Sequence, residues 1–135
     1  MPYMVGRNSD PEVLAVKDES HELTIPSAWR PVLCEIVRAF VQRDYRLNAS
    51  VPGVAPVSAD TAAQIEKYIE HYRETLVELP EETWDSSACI WMGGHWDALV
   101  DLWTQAEGRS DLVLQVFITD TKSGFHFDIH MVYVP

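Results

Sequence analysis

Four alternating strands in the last third of the chain are the feature that most constrains its fold. Apolar side chains recur at every second position over residues 96–105, 112–119 and 125–134, and residues 88–92 form a continuous apolar run. These segments predict four strands. Short segments rich in Gly, Ser and charged residues separate them, and these are typical of turns. The pair Gly93-Gly94 predicts a two-residue hairpin that places Trp91 opposite Trp96. Strands joined in this way form an antiparallel meander.

Two amphipathic helices are predicted before the strands. The first begins at Ser27 or Arg30 and ends near Tyr45, since its apolar residues recur at helical spacing. The second begins after Ser58, a favourable N-cap residue, and ends at Leu79-Pro80.

Together these elements predict an α+β fold in which two N-terminal helices pack on one face of a four-stranded antiparallel meander sheet. Residues 1–22 show no sustained periodicity, and we expect a loosely held N-terminal arm there. Residues 23–135 are expected to form a single domain, because a chain of this length can bury a sizeable core. In the last strand, the alternation predicts that Phe125, Phe127, Ile129, Met131 and Tyr133 face that core.

The charge balance limits the partners of this protein. Its 135 residues carry 21 acidic and 10 basic side chains, for a formal net charge of −11. Such a chain repels the phosphate backbone, so we expect no nucleic acid partner. The same charge is suited to steer a basic protein towards the surface.

Several other classes of protein also lack support in the sequence. It shows neither the basic and apolar pattern of a signal peptide nor an apolar run long enough for a membrane span, which predicts a cytoplasmic location. No phosphate-binding loop, dinucleotide fingerprint or activated nucleophile is visible. We therefore predict no cofactor, and a binding protein is favoured over an enzyme.

The strand face opposite the helices is predicted to be mixed in character, too apolar for a solvated surface and too charged for a core. Its predicted side chains are Asp97, Leu99, Asp101, Trp103, Val113, Gln115, Phe117, Thr119, His126, Asp128, His130 and Val132. Either the N-terminal arm or a loop covers the apolar part, or the face binds a partner or ligand. The candidate binding residues are Asp97, Asp101, Trp103, Glu107, Arg109, Phe117, His126, Asp128 and His130.

The spacing His126-x-Asp128-x-His130 places three metal-ligand types on one strand face. Residues two apart on a strand are separated by about 6.6 Å, and His126 and His130 by about 13 Å. One ion therefore cannot bind all three, and the neighbouring strand offers poor ligands. These residues remain weak metal candidates beside the simpler interpretation, a solvated strand face.

The connection from Glu107 to Asp111 is longer than a tight turn requires. Its turn chemistry predicts a structured hairpin loop. The alternative is a recognition tip in which Glu107 and Arg109 contact a partner.

A family resemblance rests on three segments of the chain. They are the run from Trp96 to Leu114, the upstream Gly53-Val54-x-Pro56-Val57-Ser58, and Leu79-Pro80-x-x-x-Trp84 between them. These segments resemble a family of small uncharacterised bacterial domains of unknown function, over roughly residues 23–134. The resemblance implies a bacterial origin and contributes no catalytic residue.

The sequence thus favours a non-enzymatic bacterial protein-binding domain, in an adaptor or immunity-like role, that meets a basic protein through its acidic, aromatic sheet face. The alternative is a small-ligand or metal-dependent enzyme with a pocket near His126, Asp128 and His130. A third possibility is a homodimer formed through the mixed face or a sheet edge.

Overall fold

The computed structural model describes residues 11–135. This part of the chain forms two α-helices and six β-strands: β1 (Leu23–Thr24), α1 (Arg30–Val41), α2 (Ala59–Tyr72), β2 (Leu76–Val77), β3 (Ala88–Trp91), β4 (Trp96–Thr104), β5 (Gly108–Thr121) and β6 (Gly124–Tyr133). Short 3-10 helices, Ser27–Trp29 and Glu81–Asp85, precede α1 and β3.

All six strands belong to one antiparallel sheet. Its order is β1-β3-β4-β5-β6. Strand β2 also pairs with β4, through Leu76 opposite Thr104 and Val77 opposite Trp103. Since β5 occupies the other side of β4, strands β2 and β3 lie one after the other along the same side. The hairpin between β3 and β4 has the predicted register, with Trp91 opposite Trp96.

The predicted architecture of two N-terminal helices on a four-stranded sheet is wrong. The sheet has six strands, helix α2 lies in the middle of the chain, and more of the described residues lie in strands than in α-helices. The two additional strands, β1 and β2, are only two residues long. A strand this short contains no alternation that a periodicity search can detect.

Helix α2 ends earlier than predicted because the chain turns at Arg73. This residue has a left-handed backbone, with φ of 63°, and its N–H donates to the carbonyl of Glu70. A left-handed residue terminates an α-helix. Leu76, which lies within the bounds predicted for this helix, is instead a buried residue of β2.

One hydrophobic core lies between the helices and the sheet. Helix α1 contributes Leu33, Ile36, Val37 and Phe40, and α2 contributes Ala62, Ile65 and Ile69. They meet the alternate buried residues of β4, which run from Trp96 to Thr104. Trp29 packs edge-on against Trp96 and Phe125, with ring centroids 5.4 and 5.7 Å apart. These aromatic pairs close one end of the core.

A β-bulge at His130 changes which side of β6 is buried. Gln115 pairs with Met131, but the next residue, Val116, pairs with Ile129, so His130 is the extra residue. The predicted core positions Phe127 and Ile129 are buried, whereas Met131 and Tyr133 are not. Val132, predicted on the opposite face, is fully buried. The bulge therefore reverses the simple alternation after Ile129.

The free edge of β6 is covered by two short segments. In the loop before α2, Ala55 N–H donates to the carbonyl of Phe127, and Phe127 N–H donates to the carbonyl of Gly53, each at 2.8 Å. Further along, Gln64 Nε2 donates to the carbonyl of Val132 at 2.6 Å, and Val132 N–H donates to Gln64 Oε1 at 3.2 Å. A loop and one side-chain amide thus take the place of a neighbouring strand.

The described part of the N-terminal arm is tied to the core side of the sheet. Val13 and Ser27 exchange two hydrogen bonds of 2.8 and 2.7 Å. The indole N–H of Trp96 donates to the carbonyl of Val16 at 2.9 Å. Because Trp96 faces the core, residues 13–16 lie on the side opposite the mixed face. Residues 1–10 of the predicted arm lie outside the described residues, and the arm boundary at residue 22 stays a prediction.

Candidate functional site

The candidate site is the sheet face that points away from the helices, which we call the outer face. On β4, β5 and β6 it carries Asp97, Leu99, Asp101, Trp103, Val113, Gln115, Phe117, Thr119, His126, Asp128, His130, Met131 and Tyr133. Leu99, Trp103 and Phe117 are neither fully buried nor fully exposed, and none of them belongs to the hydrophobic core. The outer face therefore keeps apolar surface accessible.

Phe117 is the centre of this face, because two histidines contact its ring. The centroid of His130 lies 4.5 Å from that of Phe117, with the planes 26° apart, so the rings are stacked. The His95 centroid lies 4.5 Å away on a tilted plane. His95 follows the Gly93-Gly94 turn, and His130 is the bulge residue, so both come from irregular positions. The three rings form a stripe from the β3–β4 turn across β5 to β6.

Two carboxylates lie beside Phe117 in the sheet register. Asp97 of β4 and Asp128 of β6 are its cross-strand neighbours on the two sides. Gln115 Nε2 donates to both carboxylate oxygens of Asp97, at 2.8 and 3.0 Å. Asp128 is exposed. An aromatic ring between two aspartates combines apolar contact with negative charge, which suits a basic side chain or segment.

Asp101 forms hydrogen bonds with the segment that precedes β3. The Ser86 hydroxyl donates to its carboxylate, the Thr83 hydroxyl donates to its carbonyl at 2.7 Å, and its N–H donates to the Ser87 hydroxyl at 2.9 Å. Asp101 therefore anchors the segment that leads into β3, in addition to adding charge to the outer face.

Trp103 and Arg109 lie together at the far end of the outer face. They are cross-strand partners, and the Trp103 ring lies against Gly108, where an added Cβ would be 3.6 Å from Trp103 Cζ3. Among the described residues, the buried indole N–H of Trp103 has no hydrogen-bond partner. An added Cβ at this distance would make ordinary van der Waals contact with the indole, so glycine at position 108 is favoured by its φ of 76° and not by lack of space.

A shallow depression of about 480 Å³ lies at the same end of the sheet as Arg109. Its lining residues are Ser86, Asp101, Arg109, Ser110, Asp111, Val113, Val134 and Pro135. Asp101 and Arg109, two of the predicted binding residues, therefore share one concave surface.

Glu107 is held in the hairpin and tied to helix α2. The Thr104 hydroxyl donates to its Oε1 at 3.0 Å, and the Tyr72 hydroxyl donates to its Oε2 at 3.2 Å. Tyr72 also accepts from the N–H of Asp111 at 3.0 Å. Glu107 thus connects the β4–β5 hairpin to helix α2, although Glu107 and Arg109 are both exposed.

The metal candidates are spread along one strand. His126, Asp128 and His130 are all exposed on β6, and the cross-strand partners of the first two are Thr119 and Phe117. Within residues 11–135, no three His, Cys, Asp or Glu side chains are grouped as a metal site would require.

The two cysteines are free thiols. Burial raises the pKa of Cys89 to about 11. Burial, reinforced by the negative charge of Glu81, also raises the pKa of Cys34. A raised pKa keeps a thiol protonated and unreactive at neutral pH.

Sequence reasoning missed three residues of the outer face. His95 lies at the end of the hairpin turn, where alternation does not assign a face, although its aromatic character and position next to a strand were available signals. Met131 and Tyr133 were assigned to the core because nothing in the local sequence marks the bulge at His130.

In the part of the chain from residue 11 onwards, neither helix combines the length and apolar character needed to cross a bilayer.

Comparison with known proteins identifies a family but no characterised relative. No curated protein and no solved structure matches the chain. Residues 37–135 match the family model described as "Domain of unknown function (DUF7668)". The match includes α2, strands β2–β6 and the whole outer face. Because it extends over most of the sequence, this chain belongs to the DUF7668 family of domains of unknown function.

Proposed function

We propose that this protein is a non-enzymatic binding domain that holds a basic protein partner against its outer face. The observation that carries the proposal is the stripe of His95, Phe117 and His130 with Asp97 and Asp128 beside it. Anchors of this kind dominate binding energy when water is excluded around them.

The partner class follows from charge. The outer face carries the carboxylates of Asp97, Asp101 and Asp128, and the whole chain has a formal net charge of −11. Complementary charge speeds encounter and disfavours acidic partners. Arg109, at the far end of the face, is the exception, and it would contact an acidic group at the edge of an otherwise basic surface. Repulsion between two copies of this face argues against self-association through it.

The proposal places the domain in the bacterial cytoplasm, in an adaptor or immunity-like role. The support is the composition of the sequence and the nature of the outer face. The alternative of a metal-dependent enzyme is not taken further, because the exposed positions of His126, Asp128 and His130 on one strand do not converge on a common point.

The proposal is tested by capture followed by reconstitution. The wild-type chain is used as bait in a lysate of its source cell, and each captured protein is purified and titrated by calorimetry. The proposal requires a basic protein whose affinity falls as ionic strength rises, because exposed charges are screened by salt. A captured protein that does not bind after purification counts against it.

Two double variants separate specific contact from general charge. Asp97→Asn with Asp128→Asn removes two charges beside Phe117, and Glu66→Gln with Glu74→Gln removes two exposed charges of the α2 region. The first pair is expected to weaken binding at least about tenfold, which corresponds to about 1.4 kcal/mol. The second should change affinity by less than about threefold. Equal losses in the two variants would show that the outer face is not the contact surface.

A further inference from the structure

A second site lies on the core side of the sheet, where residues 13–17 of the N-terminal arm cross its end. We call residues 13–17 the strap. We infer that the strap is an internal ligand, and that it occupies a site built to receive an extended, lysine-bearing segment of a partner protein. This site is separate from the outer face and does not depend on the function proposed for it.

The site binds the lysine through two aromatic rings and one carboxylate. Lys17 Nζ lies 4.9 Å from the ring centroid of Trp91 and 5.8 Å from that of Trp96. It also lies 3.2 Å from Asp120 Oδ2. An ammonium group held over indole rings and paired with a carboxylate is the chemistry by which proteins recognise cationic side chains.

The site also forms a hydrogen bond with the backbone of the residue before the lysine. The indole N–H of Trp96 donates to the carbonyl of Val16 at 2.9 Å, and Trp96 is only 2% exposed. Leaving this buried donor without an acceptor costs free energy. The site therefore favours a state in which some extended segment supplies that carbonyl.

The strap itself shows which ligand positions matter. Val13 and Ala15 are half-buried, and Ala15 packs against the core. Leu14 and Val16 are 67% and 52% exposed. This alternation defines a pattern of apolar, any residue, small, any residue, lysine. The outward apolar side chains gain nothing here, so a partner segment with the same inward positions can match the strap contact for contact.

The walls of the site and its occupant come from different parts of the chain. Trp91, Trp96 and Asp120 lie within residues 37–135, the part that matches the family. The strap lies before that part. Its polar attachments are the two bonds with Ser27, the Trp96 bond and the exposed Lys17–Asp120 pair, and an exposed pair contributes little. Its apolar attachments are the half-buried Ala15 and the Lys17 contact with the two indole rings. Exchange with a segment from another protein therefore requires only local opening.

The test uses the full chain with a weakened strap. Lys17→Ala removes the ammonium group, and Lys17→Ala with Ser27→Ala also removes the hydroxyl that accepts from Val13 N–H. Both changes are at partly exposed positions, and circular dichroism checks that each variant is folded. The probe is the blocked peptide Pro-Glu-Val-Leu-Ala-Val-Lys, and the readout is the Trp96 indole N–H resonance.

The peptide is expected to shift that resonance saturably in both variants. The wild-type chain should require at least about tenfold more peptide, because its own strap competes at high effective concentration. A peptide with alanine in place of lysine should bind at least about tenfold more weakly, because it loses the contact with both indole rings. Asp120→Asn in the weakened chain should change the affinity by less than about threefold, because the ion pair is exposed.

Three results would overturn the inference. They are no binding to either folded variant, equal binding of the lysine and alanine peptides, and equal affinity of wild type and variants. Sedimentation at two protein concentrations adds a fourth. A concentration-dependent dimer that Lys17→Ala abolishes would assign the site to the strap of a second copy and not to a partner protein.

Discussion

His130 stacks on Phe117 although it is the extra residue of a β-bulge, with ring centroids 4.5 Å apart. A regular strand could not place His130 and Met131 on the same face, because successive side chains alternate. The bulge thus adds an aromatic side chain to the outer face while Val132 remains in the core. Bulges often redirect side chains in this way next to functional sites.

Phe117→Ala is expected to separate binding from folding. Phe117 is half-buried outside the core, so the loss of its ring contacts should cost about 1–2 kcal/mol in the free energy of unfolding. Phe127→Ala, at a position only 3% exposed, should cost about 3–5 kcal/mol. Urea denaturation measures both. Equal losses would mean that Phe117 is a core residue, contrary to its assignment to the outer face.

Deletion of His130 is expected to leave the fold intact. Without it, Ile129, Met131 and Val132 alternate as core, outer face and core, which is the arrangement already observed for these three residues. We expect a loss below about 2 kcal/mol in the free energy of unfolding. Deletion of Asp128 is the matched control, because it would leave Phe127 and Ile129 adjacent and force one of two buried residues to the outer face. If the two deletions destabilise the chain equally, the bulge assignment is incorrect.

Gln64→Ala should destabilise the chain by about 1–3 kcal/mol, because it leaves the N–H and carbonyl of Val132 without their partners. Gln64→Glu should cost at least as much, since a carboxylate cannot donate to the carbonyl. The exposed Gln105 provides the control, and Gln105→Ala should change stability by less than about 0.5 kcal/mol. Thermal and urea unfolding distinguish these outcomes. If Gln64→Ala leaves the stability unchanged, the Gln64 amide does not take the place of a neighbouring strand.

The raised pKa of the Cys89 thiol predicts that the protein loses stability at alkaline pH. Its folded-state pKa of about 11 is above the ordinary value of 9.0 because the thiol is buried. Below pH 9 both states hold the proton and the full stability is present. Between pH 9 and 11 only the unfolded state releases the proton, so the free energy of unfolding falls as pH rises.

Cys89→Ala should flatten that part of the pH profile, apart from contributions of other groups such as Tyr45, whose pKa burial also raises. Urea titrations at pH 8 and pH 10 give the comparison between wild type and variant. Native Cys89 should also react with iodoacetamide more slowly than the unfolded chain at pH 8. Rapid alkylation in the native state would contradict the raised pKa.

The long elements of this fold were predictable from sequence because each repeats its pattern several times. Strands β4 and β6 and helix α1 begin where alternation or helical spacing places them, and Gly93-Gly94 forms the expected hairpin. Strand β5 instead begins at Gly108, so most of the loop predicted from Glu107 to Asp111 lies within a strand. The Gly93 backbone has φ of 98°, a conformation that glycine adopts at little cost.

Other features depend on partners distant in sequence. Strand β2 exists because Leu76 and Val77 meet the part of β4 that the short β3 leaves unpaired. On the outer face, alternation identified Asp97, Phe117 and Asp128 together, and the register brings them side by side. The role of Glu107 in binding Tyr72 could not be read locally, because Tyr72 lies on another element. The binding role of these residues stays a prediction.

The order of synthesis favours early covering of the β6 edge. Gly53, Ala55 and Gln64 precede β6 in the chain, so they have left the ribosome before that strand emerges. The N–H and C=O groups on this edge could otherwise pair with a strand of another protein. Their native partners are therefore already available in the nascent chain when β6 emerges. A circular permutant that begins at residue 74, after α2 has ended, and places residues 53–64 after β6 would reverse this order while it retains the residues that cover the edge.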